Sequence, residues 1–426
     1  MPERYVEIDR RTPMLLPVDM REWVARDALA RLIIDAIEQC DLRRAVTNDR
    51  GTGSPQYPPG MMVSLLIYAY AHGVFSSRRI EQLTYENLSV RYLCANTHPD
   101  HDTIAKFRRE NGALFQDCMR TIILLGQELG MVQLGILAVD GTRLQANANR
   151  HRFATRKQLE QQQASLDELI KGILKEAEAA DQADKDQGEP AELLPELANE
   201  QERRAAIKAA LEQIKQREAE QEVQKKQLAQ RGRRSKASTV RINLTDPDCG
   251  ILHRKGAGTV IGFNAQIAVD VQGAGLIISN TVSAQGCDAE LLHQVLEPIA
   301  GQLGQGAKEV IVDTGYESAL RAYEIEKELG TKVIYPPKPT RVYKSPPVKM
   351  RTPDQRLVRH VRHLIKRRIE SAHGQWLRHR RQIMAEGAFG FIKNTLGFGR
   401  FSLRGLEKVQ AEWQLVCLAF NFRKLA

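Results

Sequence analysis

Cysteine is scarce and scattered: Cys40, Cys94, Cys118, Cys249, Cys287 and Cys417 are the only six in 426 residues, and none forms a Cys-x-x-Cys pair. That spacing argues against a zinc cluster and against a disulfide framework, so reduced, mostly packed thiols are expected. Long apolar runs are missing too. The longest, around Met61 to Ala71, falls far short of the roughly 20 residues that a bilayer-spanning helix needs. The first residues, Met-Pro-Glu-Arg-Tyr-Val-Glu-Ile-Asp, are charged from the start, unlike a secretory signal. A cytoplasmic protein with no membrane partner is expected. What is present is enough apolar material, 42% of the chain, for globular cores, and a length that calls for two or three folded units.

Positive charge is unevenly placed. The whole chain carries a formal +10, yet the segment 341–381 alone holds thirteen Lys and Arg against two acids, Asp354 and Glu370. Such a concentration is the footprint of a polyanionic partner, because each neutralised phosphate releases counterions. A solvated basic helix without a partner is the plainer reading of the same residues.

Four regions follow from periodicity. Residues 1–130 read as a helical domain, with apolar repeats at three and four over Arg21–Glu38, Pro59–Tyr70, Ser77–Thr84 and Thr103–Glu128. Asp102 stands where an N-cap belongs, so Lys106, Arg108 and Arg109 are expected on the first turns of a basic helix that meets DNA. Gly135–Asp140 then reads as a buried strand ending in an acid. Residues 152–234 shift to Gln, Glu, Lys and Ala; Leu159, Leu166, Leu169 and Ile173 mark one helix, and Ile207, Leu211, Ile214 and Leu228 another. With Gly188, Pro190 and Pro195 between them, they predict an inserted antiparallel helical hairpin. Beyond it, Phe263–Val271 and Leu276–Ser283 form a strand hairpin, Asp288–Leu303 a helix, Glu309–Asp313 a strand, Glu317–Leu329 a helix and Lys332–Tyr335 a strand. This alternation predicts a mixed α/β sheet built from residues 131–151 and 235–426.

Asp140 and Asp313 each close a short apolar run and precede a small-residue turn, Gly141-Thr142 and Thr314-Gly315. A carboxylate at a strand end is held by the sheet and faces an open edge, where the oxygen ligands of Mg²⁺ are needed. Either one alone is more simply a turn-capping aspartate, and Asp270 is explained that way by its own hairpin. A third acid is expected on a helix. Glu386 is the best placed, with Lys393 seven residues on, two turns along the same face; Glu370 and Glu407 compete on composition.

Asp140-Gly-Thr142, Asp313-Thr-Gly-Tyr316, and Glu386 with Lys393 resemble the three acidic blocks of insertion-sequence DDE transposases. Tyr57-Pro-Pro-Gly-Met-Met-Val63 and Asp102-Thr-Ile-Ala-Lys-Phe-Arg-Arg109 are similar to the helical N-terminal domain of a subgroup of that family, and Thr245-Asp-Pro-Asp248, Gly262-Phe-Asn-Ala-Gln266 and Phe401-Ser-Leu-Arg-Gly-Leu-Glu-Lys408 also have counterparts. The resemblance implies a ribonuclease-H-like catalytic core and two Mg²⁺ (or Mn²⁺) ions held by Asp140, Asp313 and Glu386. It further implies metal-dependent cleavage and strand transfer at the terminal inverted repeats of an insertion sequence, with double-stranded DNA as partner and a homodimer on DNA, in a bacterial cytoplasm at the nucleoid. Many relatives place Tyr and Arg seven and four residues before the glutamate; here those positions are His379 and Gln382. Arg380 or Arg381 is the nearest source of the missing guanidinium, to hold the flanking strand while Lys393 meets a phosphate. Two other readings are a DNA-binding repressor that has lost catalysis and a stand-alone nuclease.

Overall fold

The computed structural model describes residues 19–47, 56–183, 195–230, 239–254, 258–337 and 353–426. Among these residues a 3-10 turn at Met20–Glu22 leads into the helices α1 (Leu29–Glu38), α2 (Pro59–Ala71), α3 (Ser77–Glu86), α4 (Leu88–Leu93), α5 (His101–Glu110) and α6 (Gly112–Glu128). The helix expected from Arg21 starts only at Leu29, because Arg31 donates to the carbonyls of Val24 and Ala25 and holds that stretch outside the helix. The cap of α5 is Asp100 rather than Asp102: its Oδ1 accepts from the amides of Asp102 and Thr103, both at 2.9 Å. The long helix expected over Thr103–Glu128 divides at Asn111, whose side chain is drawn off to Val46 and Phe107.

Among the described residues eight strands follow: β1 (Ile136–Gln145), β2 (Phe153–Ala154), β3 (Ile242–Asn243), β4 (Gly250–Arg254), β5 (Gly258–Asp270), β6 (Ile277–Ser283), β7 (Glu309–Ile311) and β8 (Lys332–Ile334). The central sheet is mixed. β5 lies antiparallel to β1 along one edge and antiparallel to β6 and β4 along the other, while β7 runs parallel to β1 and β8 parallel to β7. Leu137, Ala138, Val139, Val310 and Ile311 are fully buried, as expected where both faces of a sheet are covered. β2 and β3 form a separate two-stranded ribbon.

One expectation changes here. β1 does not end at Asp140 but continues to Gln145, because β5 pairs with it from Leu137 to Gln145. β7, by contrast, pairs only with Ile136 to Ala138. Asp140 therefore lies past the end of its parallel neighbour rather than at the end of its own strand.

Between β2 and β3, α7 (Arg156–Ala183) and α8 (Pro195–Gln230) pack through Leu159, Leu166, Ile170, Ile207, Leu211 and Ile214. Arg156 pairs with Glu218 at 3.2 Å and Arg204 with Asp167 at 2.5 Å, so the two helices run antiparallel. Ile170, not Leu169, faces the partner; Leu169 is exposed. The breaker at Gly188 and Pro190 lies outside the described residues, as does the stretch 341–352 of the basic segment.

α9 (Asp288–Leu303) and α10 (Ala319–Leu329) connect the later strands, and α11 (Pro353–Glu370), α12 (Ala372–Arg381), α13 (Gly387–Gly390) and α14 (Leu406–Leu425) complete the chain. α14 is apolar nearly all round, with Trp413, Leu415, Val416, Leu418, Phe420 and Phe422 buried, the mark of a helix enclosed on every side. It packs against α2, α6 and β6. Through it the N-terminal helices and the sheet share one continuous apolar cluster.

Candidate active site

Alternation along β1 puts Asp140 and Thr142 on one face and Gly141 on the other. Asp140 Oδ1 accepts from the Gly141 amide at 2.8 Å, and its Oδ2 accepts from Arg381 at 3.1 Å. Burial pushes its carboxyl up to about 6; Arg381 opposes the shift, while the charges of Asp313 and Glu386 add to it. Asp313 and Glu386 thus both lie near enough to Asp140 for their charges to act on it.

Asp313 follows β7 by two residues and caps a 3-10 turn at Thr314–Tyr316, accepting from the Gly315 amide at 2.7 Å. Because Ala138 pairs with Ile311, carrying that parallel register two residues further sets Asp313 beside Asp140. Turn-capping and a place in the acidic centre are here properties of the same residue.

Glu386 ends a π-helical turn, Gln382–Glu386. In an α-helix, residues five apart point to different sides, but a π turn closes i→i+5 and realigns them. Arg381, five residues before Glu386, consequently reaches it at 2.7 Å while also holding Asp140. The widened turn is what brings Arg381, rather than Arg380, to Glu386. Arg380 takes another path: it is half-buried, donates to the Val271 carbonyl at 2.7 Å and lies 5.9 Å from the Trp376 ring. His379 and Gln382 are exposed.

A second π turn, Phe391–Thr395, carries Lys393, which donates to the Thr142 hydroxyl and stands 5.8 Å from the Phe389 ring. Asp140 and Thr142, neighbours on one strand face, thus each receive a cation from the same C-terminal segment. Of the rival acids, Glu370 is exposed and pairs with Lys366 at 3.7 Å on α11, and Glu407 sits exposed in the first turn of α14.

Sequence reasoning missed a buried polar group behind the aspartates. Asn264 and Gln266, both fully buried on β5, donate to Asp288 Oδ1 at 2.7 and 3.1 Å, and the Tyr316 hydroxyl donates to Gln266 Oε1. Two amides at alternating positions of an otherwise apolar strand, Phe263 to Val269, were the available signal.

On the N-terminal helices, Lys106 and Arg109 are exposed on α5. Arg108 is not. It is 6% exposed and donates to Tyr70 and the Phe75 carbonyl at 3.1 and 2.7 Å, so the expectation that it faces DNA is corrected. Helical spacing turns it inward beside Ile104. On α11, Val361, Ile365 and Ile369 are buried, while Arg356, Arg362, Lys366 and Arg367 face outward.

Three carboxylates without a neighbouring Cys or His are hard oxygen donors of the kind Mg²⁺ and Mn²⁺ prefer. Gly315 is a cradle a Cβ would fill, since that atom would lie 2.8 Å from Asp313 Oδ1 and 3.0 Å from Asp288 Oδ2. Among the described residues no three His, Cys, Asp or Glu side chains close on one point; between Asp140 and Glu386 the cationic place is taken by the Arg381 guanidinium. The oxygen donors suit a divalent cation in type, while their arrangement here holds a guanidinium rather than a gathered ligand set.

A family model described as a transposase domain (DUF772) matches residues 18–110, and one described as a transposase DDE domain matches residues 237–422. The second spans Asp313, Glu386, Arg381 and Lys393, whereas Asp140 lies between the two matched segments. No curated protein and no solved structure matches the chain.

Proposed function

From the premise that the chain belongs to the insertion-sequence DDE transposases, we propose that it cleaves the terminal repeats of its element and joins the freed 3′ ends to target DNA, using Asp140, Asp313 and Glu386. The observation that carries this reading is the Arg381 bridge, which gathers Asp140 and Glu386 from distant parts of the chain beside Asp313. A ribonuclease-H-like core is supported by the sheet order, in which β5 lies antiparallel to both β6 and β1, and β7 and β8 continue parallel to β1.

Asp140, Asp313 and Glu386 would hold the divalent ions, Mg²⁺ or Mn²⁺. Such ions, when bound, polarise the phosphate and activate a water or 3′-hydroxyl. Lys393, fixed by Thr142, would orient a phosphate next to the carboxylates, and Arg381 would neutralise the flanking strand. The outward basic face of α11 would follow the DNA backbone without reading sequence. Lys106 and Arg109 on α5 would contact the element's ends, and Arg380 would act there only by supporting α12. The helical N-terminal domain, the inserted helical pair and a homodimer on DNA belong to the same proposal.

The test is strand transfer with a labelled terminal-repeat duplex in Mg²⁺. Joined products that vanish with Asp140→Asn or Glu386→Gln are expected. Cutting without joining would make the protein a nuclease, and binding without cutting a repressor.

A further inference from the structure

Both aspartate motifs carry a glycine, and both glycines make room for the same buried network. A side chain at Gly141 would collide with the Gln266 amide, and one at Gly315 would crowd Asp313 and Asp288 together. Gln266 pairs with Gly141 across the β1–β5 ladder, so it lies on the face of β1 opposite Asp140. Its Nε2 donates to Asp288 Oδ1 at 3.1 Å and to Asn264 Oδ1 at 3.0 Å, and its Oε1 accepts from Tyr316, three residues past Asp313. One side chain therefore joins the strand of Asp140, the first turn of α9 and the turn that presents Asp313.

We propose that Gln266 is a positioning residue for the active centre: with Tyr316 and Asp288 it sets the placement of the Asp313 turn against β1, and so the spacing of the two aspartates. Core packing alone does not explain it, because two fully buried amides stand in the otherwise apolar run Phe263–Val269, and each needs a partner such as Asp288 to be tolerated there. Burial keeps the Tyr316 hydroxyl protonated, which preserves its role as donor. Asp288 Oδ1 accepts from the two amides, its Oδ2 has the Arg143 guanidinium at 3.8 Å, and the space at Gly315 separates that Oδ2 from Asp313 Oδ1. The proposal rests on the metal-dependent reading of Asp140 and Asp313, since spacing matters only if the two acids share an ion.

The test is Mn²⁺ titration of the whole chain, read from the electron paramagnetic resonance of free Mn²⁺, with melting temperature measured alongside. Tyr316→Phe removes only the hydroxyl, and Gln266→Met keeps length without donors or acceptor; Asp140→Asn is the reference. Wild type should bind, Asp140→Asn should not, and both network variants should bind about ten- to a hundredfold more weakly, the usual effect of losing a supporting hydrogen bond behind a metal ligand. Tyr316→Phe should do so without loss of melting temperature. Unchanged Mn²⁺ affinity in both variants would overturn the positioning role while leaving the metal site intact. Weakening that merely tracks lost stability would overturn it as well. Absence of Mn²⁺ binding in the wild type would remove the metal-dependent reading itself and the inference with it.

Discussion

Asp140 is held in a state its own chemistry resists. With the carboxyl raised by burial to about 6 from an ordinary 3.8, the folded, metal-free chain binds the proton more tightly than the unfolded chain does. The resulting stabilisation is full below about pH 4 and is lost as pH rises through about 6, so at neutral pH ionised Asp140 works against the fold. Arg381 offsets part of that cost. Asp140→Asn keeps the shape and removes the charge, so it should melt higher than wild type at pH 7, by the equivalent of at most about 3 kcal/mol, and the gap should close near pH 4. Thermal melts at the two pH values check this; a variant less stable than wild type at pH 7 would show that the Arg381 pair outweighs desolvation. Such a gain in stability on losing a functional group is the usual signature of a site strained for its task.

At the scale of elements, the π turn Gln382–Glu386 decides which arginine serves the site. A π turn is in effect one extra residue in an α-helix. Deleting Gln382 should let the helix close with α-helical bonds, place Arg381 four residues before the glutamate and leave both flanking helices in register. Strand transfer by the deletion variant should then stay within about tenfold of wild type, whereas Arg381→Ala should lower it about a hundredfold or more, as loss of a charged group in such a site does. If the deletion is as damaging as Arg381→Ala while still folding by circular dichroism, the widened turn has a role beyond alignment.

Over the whole molecule, α14 makes the N-terminal helices and the sheet one body. Arg108 from α5 reaches inward to Tyr70 and Phe75, and the buried Glu412 of α14, which accepts from the Ser402 and Leu403 amides at 2.9 Å, holds charge opposite to it nearby. Arg108→Ala would leave the Tyr70 hydroxyl and the Phe75 carbonyl without their donor and Glu412 with less compensating charge, at a cost of about 1–3 kcal/mol for each buried group left unsatisfied. A single cooperative melt shifted strongly downward is expected, with the preference for terminal-repeat over random DNA unchanged in the folded fraction. Loss of that preference at unaltered stability would return Arg108 to the DNA surface.

The amino-acid sequence by itself determined the class of element nearly everywhere. The apolar repeat of a helix such as α9 and the short apolar runs of the strands set the type of element, Asp140 and Asp313 stood out because each closes such a run before a small-residue turn, and Glu386 was marked by Lys393 seven residues on. It did not determine which side of a helix each cation would take, where α5 is capped, or that β1 runs on past Asp140. Those depended on neighbours far away in the chain: β5 extends β1 by pairing with it, the end of β7 leaves Asp140 open, and a π turn selects Arg381 over Arg380. Gln266 escaped for the same reason. Its meaning lies in Gly141, Asp288 and Tyr316, three residues that only the folded sheet brings to it.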